Sequence, residues 1–67
     1  MTPRERDVFR LLALGRTSRE IARELYLTHN TAREYVQRIY QKLSVQRRSE
    51  LISRGVELGY LQVEFYM

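Results

Sequence analysis

Sixty-seven residues with twelve basic and eight acidic side chains, a formal net charge of +4, make one domain and not two. With 43% hydrophobic and 30% charged residues and no cysteine, the chain reads as globular, without a disulfide framework or a thiolate metal site, and a core this small supplies only about 3–5 kcal/mol. No apolar run approaches the roughly 20 residues of a membrane span, and Arg4, Glu5, Arg6 and Asp7 stand where a signal peptide would need its apolar core, so the expected place of action is the cytoplasm.

The first helix is predicted from Thr2-Pro3-Arg4-Glu5. Threonine suits the N-cap, proline the first helical position, and glutamate the third, where it bonds back to the cap. Val8, Leu11 and Leu12 form an apolar stripe with Phe9 beside it, and Gly15 is a natural stop. Thr17-Ser18-Arg19-Glu20 is a second capping box. It opens a helix of about two turns that faces inward through Ile21, Ala22 and Leu25 and needs tertiary packing to persist.

After a short turn through Tyr26 and Leu27, Thr28 caps the third helix, expected over 29–43. Ala32, Val36, Ile39 and Leu43 recur there at helical spacing. Ser44, Val45 and Gln46 break the chain again. A fourth helix follows from about Arg47 to Leu58, with Leu51, Gly55 and Leu58 inward. Residues 1–61 thus predict an all-α four-helix bundle. In the tail, 62–67, Val63, Phe65 and Met67 alternate with polar neighbours, which fits a short strand or an extended segment laid on the core.

Successive helical residues turn by about 100°. The third helix therefore sets Asn30, Arg33, Glu34, Gln37 and Gln41 opposite its apolar side, with Thr31 and Arg38 on one edge and His29 and Tyr40 on the other. Arginine can read guanine, glutamate the cytosine amino group, and glutamine or asparagine adenine. A solvated surface face would have the same composition. The short capped helix, tight turn and longer helix that carry this face are the parts of a helix-turn-helix. Eleven of the twelve cations are arginine, Lys42 being the exception, and arginine's planar fork suits phosphate and guanine edges.

The run Thr2-Pro3-Arg4-Glu5-Arg6-Asp7-Val8-Phe9-Arg10-Leu11-Leu12 resembles the opening of the LuxR-type (GerE-like) DNA-binding domain. Glu20-Ile21-Ala22-Arg23-Glu24-Leu25 resembles its second helix. Thr31-Ala32-Arg33 and Ile39-Tyr40-Gln41-Lys42-Leu43-Ser44-Val45 resemble its recognition helix and the turn after it, and Arg48 and Glu50-Leu51 the start of its last helix. The likeness covers about residues 2–61. Two positions depart from it: Tyr26 stands where the family usually has glycine, and Tyr35 where it often has histidine. A tyrosine at the first position predicts a reshaped turn or a packing role, because the left-handed backbone favours glycine there.

The resemblance implies a transcriptional regulator that binds double-stranded DNA in its major groove, with Arg33, Glu34 and Gln37 reading bases. Thr17, Ser18, Thr31, Arg38 and Lys42 become phosphate contacts, Thr17 and Ser18 through hydroxyls and backbone N–H groups. Lys42 has the equal alternative of facing its own helix C-terminus, and Glu34 that of orienting Arg33 or Arg38. Ser49, Ser53, Val56 and Tyr60, opposite the buried side of the fourth helix, are the expected pairing surface for a second copy on a two-fold site. RNA polymerase is a further expected partner. Family members usually carry this domain at the end of a longer chain, so the segment reads as an excised C-terminal domain or a stand-alone regulator.

An enzyme is disfavoured. His29 is the sole histidine and has no nucleophile or metal-ligand partner in the sequence, so neither a catalytic residue nor a cofactor or metal is expected. A small protein–protein interaction module would explain the amphipathic helices and the aromatics Tyr60, Phe65 and Tyr66, but not the family match.

Overall fold

The computed structural model describes residues 1–59, and these form four helices. They are α1 (Pro3–Ala13), α2 (Ser18–Leu25), α3 (His29–Leu43) and α4 (Arg48–Glu57). The predicted tail, 62–67, and Tyr60 lie outside the described residues. Helix α3 is the hub: it packs on α2 and α1, and α4 closes against α1 and α3.

The helix starts follow from local chemistry. In α1 the Glu5 amide donates to Thr2 Oγ1 at 3.2 Å and the Thr2 amide donates to Glu5 Oε1 at 3.0 Å. In α2 Glu20 and Thr17 make the same exchange at 3.2 and 2.9 Å. Thr28 Oγ1 accepts from the Thr31 amide at 3.1 Å to start α3. Each exchange satisfies donors that the first helical turn leaves unpaired. Helix α4 begins at Arg47 without a side-chain cap. The stops are left-handed residues: Gly15 (φ 91°) after α1, Tyr26 (φ 57°) after α2 and Ser44 (φ 54°) after α3.

The core consists of Val8, Phe9 and Leu12 from α1, Ile21 and Ala22 from α2, Ala32, Ile39 and Leu43 from α3, Val45 from the following turn, and Leu51 from α4. Phe9 is central, not beside the stripe as expected, and Leu11 is only half-buried. The inward face of α1 runs Glu5, Val8, Phe9, Leu12, a full helical repeat with a carboxylate at its head. Leu58, expected inward, is 48% exposed. It shares a direction with Leu51, but burial also needs a neighbour to pack against.

Glu5 is 1% exposed and is neutralised across the fold. Lys42 Nζ, near the end of α3, lies 2.9 Å from both carboxylate oxygens, donating to Oε1 while Oε2 is held by charge alone. The Thr2 amide and then the Lys42 ammonium, acting against burial, hold the Glu5 pKa at about 2, well below the ordinary value near 4.5. A folded-state pKa lowered in this way stabilises the fold fully above the unfolded value, and the stabilisation is lost as pH falls through the folded one. Glu5→Gln should therefore cost roughly 1–3 kcal/mol at neutral pH. It should also flatten the loss of stability between about pH 4.5 and 2. Denaturant unfolding across that range checks both, and parallel curves for the two proteins would contradict the assignment.

Candidate nucleic-acid interface

A two-residue turn sets α3 against α2. Tyr26 takes the left-handed conformation itself, at φ 57° and ψ 43°, and its amide donates to the Ala22 carbonyl. The Leu27 amide reaches the same carbonyl at 2.8 Å. The expectation of a reshaped turn or a packing tyrosine is therefore corrected. The left-handed turn is kept, at a cost of about 1–2 kcal/mol for a residue with a Cβ, and the Tyr26 side chain is 96% exposed.

With Ala32, Ile39 and Leu43 facing inward, α3 turns Asn30, Arg33, Glu34, Gln37, Arg38 and Gln41 to the outside. The three ion pairs among the described residues are Arg16–Glu24 at 3.1 Å, Lys42–Glu5 at 2.9 Å and Arg54–Glu57 at 3.1 Å. Glu34 thus pairs with neither Arg33 nor Arg38, and its alternative as an orienting group is not seen. Among the described residues Arg33, Glu34 and Gln37 have no side-chain hydrogen-bond partner. Arg38 stacks on Tyr35, its Cζ 5.4 Å from the ring centroid.

The structure redistributes the other polar groups. Lys42 takes neither expected role alone, because its ammonium holds the buried Glu5, although nearly half the side chain remains accessible. The Thr17 amide, expected to be available to phosphate, is committed to Glu20 Oε1. The same contact lowers the Glu20 pKa and keeps it ionised at the tip of α2. Hydroxyls remain at that end, on Thr17 and on half-buried Ser18. At the start of α3 the Thr28 hydroxyl donates to Thr31 Oγ1 at 2.9 Å, which leaves the Thr31 proton free to point elsewhere.

Two contributors were missed by sequence reasoning. Arg48 Nη2 donates to the Arg16 carbonyl at 2.9 Å, tying the start of α4 to the loop that precedes Thr17. No spacing rule reports a contact 32 residues apart. On α4, Ser49, Ser53 and Val56 are exposed as expected, and Ile52 joins them, Ile52 at 39% and Val56 at 40%. Their i, i+4 spacing was the available signal.

Two surface depressions lie away from the exposed side of α3. One of about 350 Å³ is lined by Ser44, Val45, Ser49, Glu50, Ser53 and Arg54, and one of about 190 Å³ by Asp7, Arg10, Leu11, Glu24 and Leu25. Neither includes an exposed residue of α3. Among the described residues no cluster of three or more His, Cys, Asp or Glu could hold a metal ion, and no helix is long and apolar enough to cross a membrane.

Comparison with known proteins gives the same architecture. Residues 1–54 match the family of bacterial regulatory proteins of the luxR type, GerE. The spore germination protein GerE of Bacillus subtilis is 38% identical over 63 residues, covering 94% of this chain and 85% of that protein. Two longer proteins of the same organism, the uncharacterized transcriptional regulatory protein YvfU and the transcriptional regulatory protein DesR, are 43% and 40% identical over 61 and 62 residues. The chain spans only 30% and 31% of their lengths. The solved structure of the transcription factor GerE superimposes with a TM-score of 0.81 at 34% identity, covering 92% of each chain. Sequence, fold and the outward polar face of α3 agree: the chain belongs to the LuxR family of bacterial regulatory proteins, as a DNA-binding helix-turn-helix domain of transcriptional regulation.

Proposed function

We propose that the domain binds double-stranded DNA sequence-specifically, with α3 in the major groove and Arg33, Glu34 and Gln37 on base edges. The observation that carries this reading is that all three are exposed and none is bonded to another described residue. Their donors and acceptors therefore go to bases without first breaking an internal contact. Arg33 matches guanine, Glu34 a cytosine amino group and Gln37 adenine. Thr17, Ser18, Thr31 and Arg38 bind phosphate and fix the register. Lys42 joins them with a donor to spare, but Glu5 already neutralises its charge, so its share of counterion release is small.

Pairing follows from α4. Ser49 and Ser53 let a second helix approach, and Val56 and Ile52 supply apolar area; Tyr60, expected on the same surface, lies outside the described residues. Such a patch is well below a standard stable interface. Pairing therefore takes place on DNA, where the duplex raises the effective concentration of the second copy. A regulator so placed acts in the cytoplasm and meets RNA polymerase at the promoter.

Selection of binding sites from a random duplex pool tests the reading helix. Arg33→Ala, Glu34→Ala and Gln37→Ala should each relax one or two base pairs, by roughly 1–3 kcal/mol per lost contact. An unchanged selected motif for a variant removes that residue from base reading. For pairing, Val56→Asp should keep the fold, as surface changes do. It should abolish cooperative binding to an inverted repeat while binding to a single half-site stays as before. Gel shifts on the two duplexes check this, and equal loss on both would overturn the α4 assignment.

A further inference from the structure

Arg33 and Arg38 both project from α3 without a carboxylate partner among the described residues, but they are not held alike. The guanidinium of Arg38 lies over the Tyr35 ring, 5.4 Å from its centroid, within the range of a cation–π contact. Glu34, one turn back, would be the ordinary partner for an arginine at this spacing, and the pair does not form. Tyr35 is half-buried and packs against the core, whereas Arg38 is exposed. The ring is thus the member anchored to the core and the guanidinium the solvent-side one. The Tyr35 hydroxyl makes no hydrogen bond to a described residue, so the face of the ring is what Arg38 meets.

The chemistry of the two possible partners differs in one respect that bears on DNA. A carboxylate would occupy the in-plane N–H donors of the guanidinium, which are the donors a phosphate needs. An aromatic ring engages the flat face and leaves those donors free. Stacking also removes part of the rotamer freedom of the arginine before any ligand arrives, so less is lost on binding. We propose that Tyr35 is the positioning residue for Arg38: its ring holds the guanidinium against α3 with the N–H edge free for a backbone phosphate of the duplex. The inference rests on the reading that α3 lies in the groove of DNA. It assigns Tyr35 to affinity for all sequences alike, not to base preference.

The test is a double-mutant cycle on duplex affinity with Tyr35→Leu, Arg38→Ala and the two combined. Tyr35→Phe is the conservative control, and all proteins are compared at a temperature where circular dichroism finds each folded. Tyr35→Leu should weaken binding about two- to fivefold, the effect of an exposed cation–π contact, and equally on unrelated duplexes. Tyr35→Phe should bind as the parent does. In the Arg38→Ala background Tyr35→Leu should cost nothing further. A loss of the same size in both backgrounds, or a Phe variant as weak as the Leu variant, overturns the proposal in favour of a packing or hydroxyl role. Arg38→Ala alone reports on the underlying reading. If it binds every duplex as the parent does, that contact and the proposal fail together. If it is weakened and Tyr35→Leu is not, only the proposal fails.

Discussion

A carboxylate buried at the head of the first helix is what the arrangement turns on. Glu5 has three tasks: it caps its own helix by accepting from Thr2, it heads the inward stripe of α1, and it takes the ammonium of Lys42 from the far end of α3. A buried ionised group is costly unless it is paired and hydrogen-bonded. The fold meets that condition only with α3 docked so that Lys42 reaches Glu5. The other end of α3 is fixed by the left-handed turn at Tyr26 and the Thr28 cap. Between these two fixtures Ala32, Ile39 and Leu43 lie on the core, and the opposite side has no choice but to project.

That projection is what the proposed function rests on. In a domain with so little core, a helix whose polar face made ion pairs with its neighbours would gain little, because exposed pairs contribute at most about 1 kcal/mol. Among the described residues Arg33, Glu34 and Gln37 make none. The ion pairs sit instead on the frame: Arg16 with Glu24 between the loop and α2, Lys42 with Glu5, and Arg54 with Glu57 within α4. Arg48 completes the frame by holding the Arg16 carbonyl. Charges that brace the fold and charges left open to a ligand are thus on different side chains, and Lys42 alone belongs to both groups.

Much of this was legible in the sequence because it is local. Two capping boxes and a threonine cap gave three helix starts, and the apolar repeat of α3 gave its buried side and therefore its polar one. What was not legible depends on distant partners. Glu5 reads as a cap and nothing more until Lys42, 37 residues away, is brought to it. Phe9 outranks Leu11 because the inward stripe of α1 is headed by a carboxylate, which a search for apolar spacing passes over. Tyr26 was correctly marked as an awkward residue for a left-handed turn, but the response of the chain was misjudged: the backbone geometry was kept and the strain accepted. At Leu58 the helical wheel gave a direction, and tertiary packing did not follow it. The Tyr35–Arg38 stack is open to reading at i, i+3, yet the sequence marks Tyr35 only as a departure from a frequent histidine.

Mapping of backbone amides by NMR while a short duplex carrying the selected site is added reports most directly on which surface meets DNA. Shifts should concentrate on the exposed side of α3, from Asn30 to Gln41, and at Thr17 and Ser18, and should recede as salt rises because phosphate contacts release counterions. Shifts confined to α1, or to the groove between α1 and α2 lined by Asp7, Leu11 and Glu24, with α3 unmoved, would contradict a recognition role for α3.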